Sequence, residues 1–302
     1  MRVVAALFLL AACDRVWDLE GREPPDAPDA PEVDAKTCDP GTPFGPGTAV
    51  RIDGAYSVEA ARFDPTQSIA YLSLCTGAKS TCDLFQSAFS RATGEFSFYS
   101  RLNVSDSTVY DSYASITPDA QTLVFGSQRL TGAVRPWVSA AVGGQFTLAA
   151  ELKVIPDVSY ANEPYLVGGG QVLYLAGAKI GGTTSADIYR ARGGPPGFGG
   201  ASDLVDGVNS SGGEYAPVVS EDELEIFFAS DRESTGVPAT MPIDIFGATR
   251  ALASGPFVTP VKLAALSTLD GSDWPVWLSP DGCDLYYINK VANFATLKVA
   301  HR

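Results

Sequence analysis

One pattern returns along this chain about every fifty to sixty residues: an apolar run, a tight turn carrying Pro, Asp or Gly, a second apolar run, and a third that often opens on Asp. A unit of that length cannot bury its own apolar face, so it must stack against copies of itself. The last two copies are the clearest. Ala216 to Asp222 precedes Glu225-Ile226-Phe227-Phe228-Ala229-Ser230-Asp231-Arg232, and Trp274 to Gly282 precedes Asp284-Leu285-Tyr286-Tyr287-Ile288. Third runs follow from Ile243 to Arg250 and from Ala295 to Ala300. Earlier copies keep the order with weaker lettering: Ala60 to Pro65, Ile69 to Leu74 and Asp83 to Ala88; Ile116 to Ala120, Thr122 to Arg129 and Trp137 to Ala140; Pro164 to Val167, Val172 to Leu175 and Asp187 to Arg192. In the sharpest turn Pro280 presets φ, Asp281 bonds nearby backbone and Gly282 permits positive φ.

No segment holds a helical apolar period for three turns, and 30 glycines and 21 prolines punctuate short apolar runs, so the class is all-β. A fourth run closes four of the units, at Phe96 to Leu102, Phe146 to Val154, Phe198 to Val205 and Phe257 to Leu263. The fifth unit reaches Arg302 without one, while Pro43 to Ile52 carries the same lettering ahead of the first unit. The expectation is a five-bladed β-propeller over residues 43–302, closed by an N-terminal strand that completes the last blade.

The chain begins with Arg2, an apolar run from Val3 to Ala12, and Leu10-Ala11-Ala12-Cys13. That run is about half the roughly twenty residues needed to span a bilayer. It resembles a bacterial lipoprotein signal ending at a lipobox, which implies removal of residues 1–12 and lipid attachment at Cys13. An ordinary secretory signal containing a cysteine is the alternative, and both readings export the chain. The Pro/Asp-rich stretch that follows, within residues 13–42, has too little apolar bulk to fold and reads as an extended tether. The expected location is the cell envelope, with the membrane as a partner through the lipid on Cys13.

The letters Pro-x-x-Ser-Pro-Asp-Gly, an aromatic strand ending Ser-Asp-Arg, then Asp-Ile-Phe or Asp-Ile-Tyr resemble the TolB-like, WD-like bacterial propeller repeats. The resemblance covers about residues 43–302 and is sharpest in the last two units. It implies the propeller fold and a role as an interaction platform. TolB itself has six blades, an extra N-terminal α/β domain and no lipid anchor, so its specific partner is not carried over.

Five cysteines suit an oxidising compartment. With Cys13 given to lipid, the blade arrangement pairs the rest. Cys75 and Cys82 flank one hairpin. Cys283 begins the second strand of the last blade, and Cys38 lies just before the strand that closes the same blade. A Cys38–Cys283 bond would fasten the ring, contributing roughly 3 to 5 kcal/mol in the chain-entropy picture. Free thiols at these positions are the alternative.

Catalytic options are few. His301 is the one histidine, which excludes a Ser-His-Asp triad, a Cys-His pair and a multi-histidine zinc site. No Gly-rich phosphate loop opens a helix, and no cofactor or metal is expected. Carboxylates remain: Glu59, Asp111, Glu163, Glu214 and Asp273 recur just ahead of the inner strands and can gather at one channel mouth. They satisfy backbone donors at strand starts, bind a basic ligand, or act as acid and base in glycoside hydrolysis. The net charge of −14 disfavours nucleic acid and suits basic partners. Trp137, Trp274 and Trp277 read as inter-blade packing rather than a binding face. The primary functional reading is an envelope-tethered propeller that binds an unknown envelope protein or small ligand without catalysis. A carboxylate glycoside hydrolase is the second.

Overall fold

Strands alternate with Pro-, Asp- and Gly-bearing turns throughout the computed structural model, and no helix occurs among the described residues. Those are residues 38–302 without 53–55, 77–80, 131–132, 155–157, 180–184, 196, 199–201, 234–242, 269–270 and 293. Cys13, and with it the expected signal segment and the expected tether up to residue 37, lie outside them.

A two-residue strand, β1 (Thr48–Ala49), comes first. The first blade is β2 (Ser57–Phe63), β3 (Ile69–Thr76), β4 (Thr81–Ser90) and β5 (Glu95–Arg101). The second is β6 (Asp111–Ile116), β7 (Thr122–Ser127), β8 (Arg135–Val142), a short hairpin partner β9 (Gln145–Phe146) and β10 (Ala150–Glu151). The third is β11 (Val158–Val167), β12 (Val172–Lys179), β13 (Asp187–Arg192) and β14 (Asp203–Leu204). The fourth is β15 (Glu214–Val219), β16 (Glu225–Ser230), β17 (Asp244–Thr249) and β18 (Val261–Lys262). The fifth takes β19 (Ser272–Leu278), β20 (Asp284–Val291) and β21 (Phe294–His301), and its fourth strand is β1. The chain is thus a five-bladed propeller whose last blade is completed from the N-terminal side.

The closure is stitched by backbone and by sulfur. Thr48 pairs with Val299 and Ala49 with Lys298, while the amides of Gly45 and Val50 donate to His301 O and Leu297 O at 2.8 Å each. Cys38 is bonded to Cys283 across 245 residues, with Cα atoms 5.1 Å apart. Gly47 must be glycine, because a Cβ there would run into the Tyr287 hydroxyl. Phe44 packs edge-on to Phe227 of the fourth blade at 5.6 Å, and Arg302 binds Glu225 through both ends of its guanidinium, at 2.9 and 2.7 Å. The second disulfide, Cys75–Cys82, staples directly opposed residues of β3 and β4.

Apolar side chains fill the seams between blades. At the junction of first and last blades Phe63 lies 4.7 Å from Tyr286 and 4.8 Å from both Trp277 and Phe89, so the seam is an aromatic cluster. Each such ring contributes about 1.5 to 3 kcal/mol by leaving water. Trp137 and Trp277 are buried, in keeping with packing, whereas Trp274 is half-buried.

Every inner strand also carries an extra residue at one level. The register slips between Val58 and Ala60, Ser112 and Ser115, Asn162 and Tyr165, Tyr215 and Val218, and Pro275 and Trp277. Tyr113, Glu163 and Ala216 take positive φ of 53°, 61° and 47° at these bulges. Because the strain recurs at a repeat position, it belongs to the bulge and not to any one side chain. The bulges re-aim backbone groups around the channel.

Candidate functional site

The five acids lie inside the inner strands rather than ahead of them, and they fall at two levels. Asp111, Glu214 and Asp273 occupy the strand starts, opposite Ser127, Ser230 and Asn289. Each clasps the loop before it. Asp111 accepts from the Asp106 amide at 2.7 Å and Arg129 at 2.9 Å; Glu214 from the Ser210 amide at 3.0 Å and Arg232 at 3.1 Å; Asp273 from the Thr268 amide at 2.8 Å and Asn289 at 3.0 Å. The arginines are those that end the second-strand motif, so this lettering encodes a loop clasp. All three carboxyls are buried and held by the repeat's own structure, through both oxygens in Glu214 and Asp273 and through Oδ2 alone in Asp111.

Glu59 and Glu163 sit instead at the bulges of the first and third blades, and both line one cavity of about 340 Å³. Glu59 faces Lys290 Nζ at 3.6 Å. Glu163 accepts the Ala216 amide of the next blade at 2.6 Å and the Tyr160 hydroxyl at 3.2 Å. Tyr110, Gln128, Asn162 and Trp274 complete the polar and aromatic wall. Gly126 makes room for Asn162, since a Cβ there would collide with its Oδ1. Burial pushes the Tyr110 and Tyr160 hydroxyls well up, with Glu59 adding to the first and Glu163 to the second, so both stay neutral.

Burial also raises the Glu163 carboxyl from the usual 4.5 to about 7; Ala216, Tyr160 and Arg62 pull it back down, and Glu59 adds to the rise. The folded protein therefore holds this proton through the window between those values, where the unfolded chain has lost it. The group's contribution to stability is whole below the window and lost as pH rises through about 7. Glu163→Gln carries no charge, so its stability relative to wild type is expected to improve by about 3 kcal/mol across the window. Urea midpoints measured from about pH 4 to about pH 8 read this directly. A flat difference between the two proteins contradicts a buried, titrating Glu163.

Sequence reasoning missed the residue that divides the channel. Arg62, near the far end of β2, is buried, and its guanidinium donates to Val276 O at 3.1 Å, Tyr113 O at 3.2 Å and Pro164 O. All three acceptors belong to bulges, in the fifth, second and third blades, so the bulges supply an inward ring of carbonyls for one cation. The ring of Tyr165 covers the guanidinium at 4.8 Å. Burial lowers its pKa to about 10, which leaves it charged at neutral pH. A second cavity, of about 210 Å³, opens at the ends of the inner strands, where Arg62, Tyr165 and Trp277 meet the turns bearing Pro65, Pro118 and Pro280. A lone basic residue in an apolar inner strand was the available signal, and it was visible only as a charge out of place.

His301 lies on β21, two strands out from the channel, with Nδ1 2.6 Å from Asp284. Among the described residues no group of three or more His, Cys, Asp and Glu side chains is placed to hold a metal ion.

No family model matches the sequence, and no curated protein sequence matches it. Solved structures do. A putative TolB from Agrobacterium tumefaciens is 13% identical, with 85% of each chain covered and a TM-score of 0.53. A thermostable family-43 glycoside hydrolase is 11% identical, over 83% of this chain and 91% of that one, with a TM-score of 0.53. A TolB from Acinetobacter baumannii is 13% identical over 83% of this chain, with a TM-score of 0.50, and this chain spans 56% of its length. What they share is the propeller fold. A TolB and a hydrolase are equally similar, so the groups in the channel, not the fold, must separate binding from hydrolysis.

Proposed function

We propose that this chain is a lipid-anchored cell-envelope propeller that binds a protein or small ligand and does not turn it over. In this reading residues 1–12 are a lipoprotein signal, residues 13–42 carry the lipid on Cys13 and the tether, and residues 43–302 are the binding domain. The reading is carried by one observation: every channel acid already has protein partners. Three are spent on loop clasps, Glu59 faces Lys290, and both oxygens of Glu163 accept protein hydrogens. A carboxylate hydrolase needs one carboxyl free to protonate the leaving oxygen and a second free to attack or to activate water.

The hydrolase reading keeps one observation in its favour. Glu59 and Glu163 open on the same cavity, and Glu163 is held partly protonated near neutral pH, as a general acid requires. Aryl glycosides of common pentoses and hexoses separate the two readings. No release of nitrophenol above buffer is expected from the wild type; release that vanishes in both Glu59→Gln and Glu163→Gln would establish hydrolysis instead. The anchor has its own arm. Cys13→Ala should move the protein from the membrane pellet to the soluble fraction and abolish incorporation of labelled fatty acid, and a wild type that takes up no label removes the lipid from the proposal.

A further inference from the structure

The cavity between Glu59 and Glu163 is one positive charge short. Among the described residues its charged side chains are Glu59, Glu163 and Lys290, two acids against one base, while Arg62 lines the second cavity. Lys290 stands 3.6 Å from Glu59, beyond hydrogen-bond reach, so it balances that charge and leaves the Glu59 oxygens able to accept. Glu163 has no cation in this wall. The protein makes up the difference with a proton, since burial lifts the Glu163 carboxyl to about 7.

Tyr113 points to the missing partner independently. It lines the same cavity and is only 4% exposed, and its hydroxyl has no hydrogen-bond partner among the described residues, yet its oxygen is not sealed from solvent. Burial first, then the fields of Glu163, Tyr110, Glu59 and Tyr160, keep that hydroxyl protonated, which sets it among the cavity's own polar groups. It faces the cavity with its acceptor lone pairs unused. Tyr110, Tyr160 and Trp274 are half-buried parts of the wall, and aromatic faces attract cations. The protein's net charge of −14 adds a field of the same sense. At about 340 Å³ the space lies near the lower end of small-molecule sites, about 300 to 1,000 Å³, so the occupant is compact.

We propose that this cavity binds a compact primary ammonium ion, the protonated form of a small alkylamine. The assignment rests on the binding reading above and deepens it. The three N–H donors of the ammonium meet Glu59, the Tyr113 hydroxyl oxygen and the Gln128 side-chain carbonyl, and the alkyl body lies against Trp274 and the tyrosines. Glu163 already accepts from Ala216 and Tyr160, so it supplies charge rather than a hydrogen bond, and the entering cation expels its proton. Glu163 is faced by Tyr160 on β11, Arg62 and Glu59 on β2, Tyr113 on β6 with Tyr110 just ahead of it, and Tyr215 on β15, while Lys290 on β20 shares the cavity. The tyrosines are all raised and Arg62 sits at about 10, so none of these titrates near 7.

The test is calorimetric titration of the purified protein with butylamine, benzylamine and ethanolamine between about pH 6 and about pH 8, with tetramethylammonium, potassium, acetate and glucose as controls. At least one primary amine is expected to bind saturably at millimolar or tighter affinity. That affinity should rise with pH through the window, by up to about tenfold per unit, as the Glu163 proton no longer has to be expelled. Glu59→Gln should weaken the amine about tenfold, and Tyr113→Phe, which deletes one hydroxyl, by a smaller factor. Glu163→Gln guards against variants that fail to fold: expected to be at least as stable as wild type, it should bind more weakly and lose the rise with pH. No saturable binding of any primary amine, tighter binding of a control than of every amine, or an affinity that neither glutamate variant moves overturns the assignment. Failure of the underlying reading looks different: the amine binds, and the wild type also releases nitrophenol from an aryl glycoside.

Discussion

Replacing Cys38 and Cys283 with serine is expected to lower the unfolding free energy by about 5 kcal/mol, while the same change at Cys75 and Cys82 costs about 2 kcal/mol. The inequality follows from chain statistics. The bridges span 245 and 7 residues, and the entropy removed from the unfolded chain grows with the logarithm of that span, which separates the two by about 3 kcal/mol. Geometry points the same way. Cys75 and Cys82 already face one another across a paired hairpin, so the ladder holds them with or without sulfur. Cys38 is held by little else: its amide donates to Asp281 O at 3.1 Å, and the strand that follows is two residues long. Urea denaturation of each double variant under oxidising conditions reads both numbers. Equal costs would mean that β1 stays docked without the bond, and ring closure would then rest on Phe44 and the Arg302–Glu225 pair. Deletion up to about residue 55 removes the disulfide, Phe44 and β1 together and is expected to open the ring.

The second large effect is at Arg62. Its removal leaves the carbonyls of Tyr113, Pro164 and Val276 without their donor on the channel axis. At about 1 to 3 kcal/mol each, those orphaned acceptors cost between roughly 3 and 9 kcal/mol. Against this stands the relief of a buried charge whose pKa is lowered from 12.5 to about 10, worth about 3 kcal/mol. Taking the middle of the first range, Arg62→Ala should lose about 3 kcal/mol net, with a matching drop in urea midpoint. Arg62→Lys should fall between, because an ammonium lacks the planar fork that reaches acceptors on three blades. An alanine variant as stable as wild type would show that water satisfies the bulge carbonyls and that Arg62 does not brace the ring.

These two sites differ in how far the chain's letters disclosed them. The Cys38–Cys283 bond was readable because blade order and strand direction put both residues at one edge of one sheet, and that inference needs only the repeat. Arg62 was not readable, because its three partners are backbone carbonyls turned inward by bulges in other blades. Carbonyls leave no trace in the lettering. The acids fall between. Their recurrence was visible, yet five letters at similar spacing concealed two levels a few ångströms apart: strand-start clasps at Asp111, Glu214 and Asp273, and bulge positions at Glu59 and Glu163. A one-residue step along a strand turns a side chain to the opposite face, so spacing read to within a few residues cannot distinguish a clasp from a channel wall. Trp274 shows the same limit. Alike in lettering to Trp277, it lines the cavity while Trp277 packs the seam.

The repeat, its turn chemistry and the displaced closing strand follow from local patterning, because apolar alternation and Pro-Asp-Gly turns are short-range consequences of backbone sterics and burial. Blade number, closure and the two disulfides are therefore properties that the order of residues carries openly. The content of the channel is of another kind. Five inner strands from distant parts of the chain converge on one axis, and whether an acid there is clasped, paired or open depends on which amide, arginine or lysine the other blades bring within about 3 Å. Only the folded ring brings Glu59, Glu163, Lys290 and Trp274 around one cavity, and only there does Arg62 meet the carbonyls that hold it.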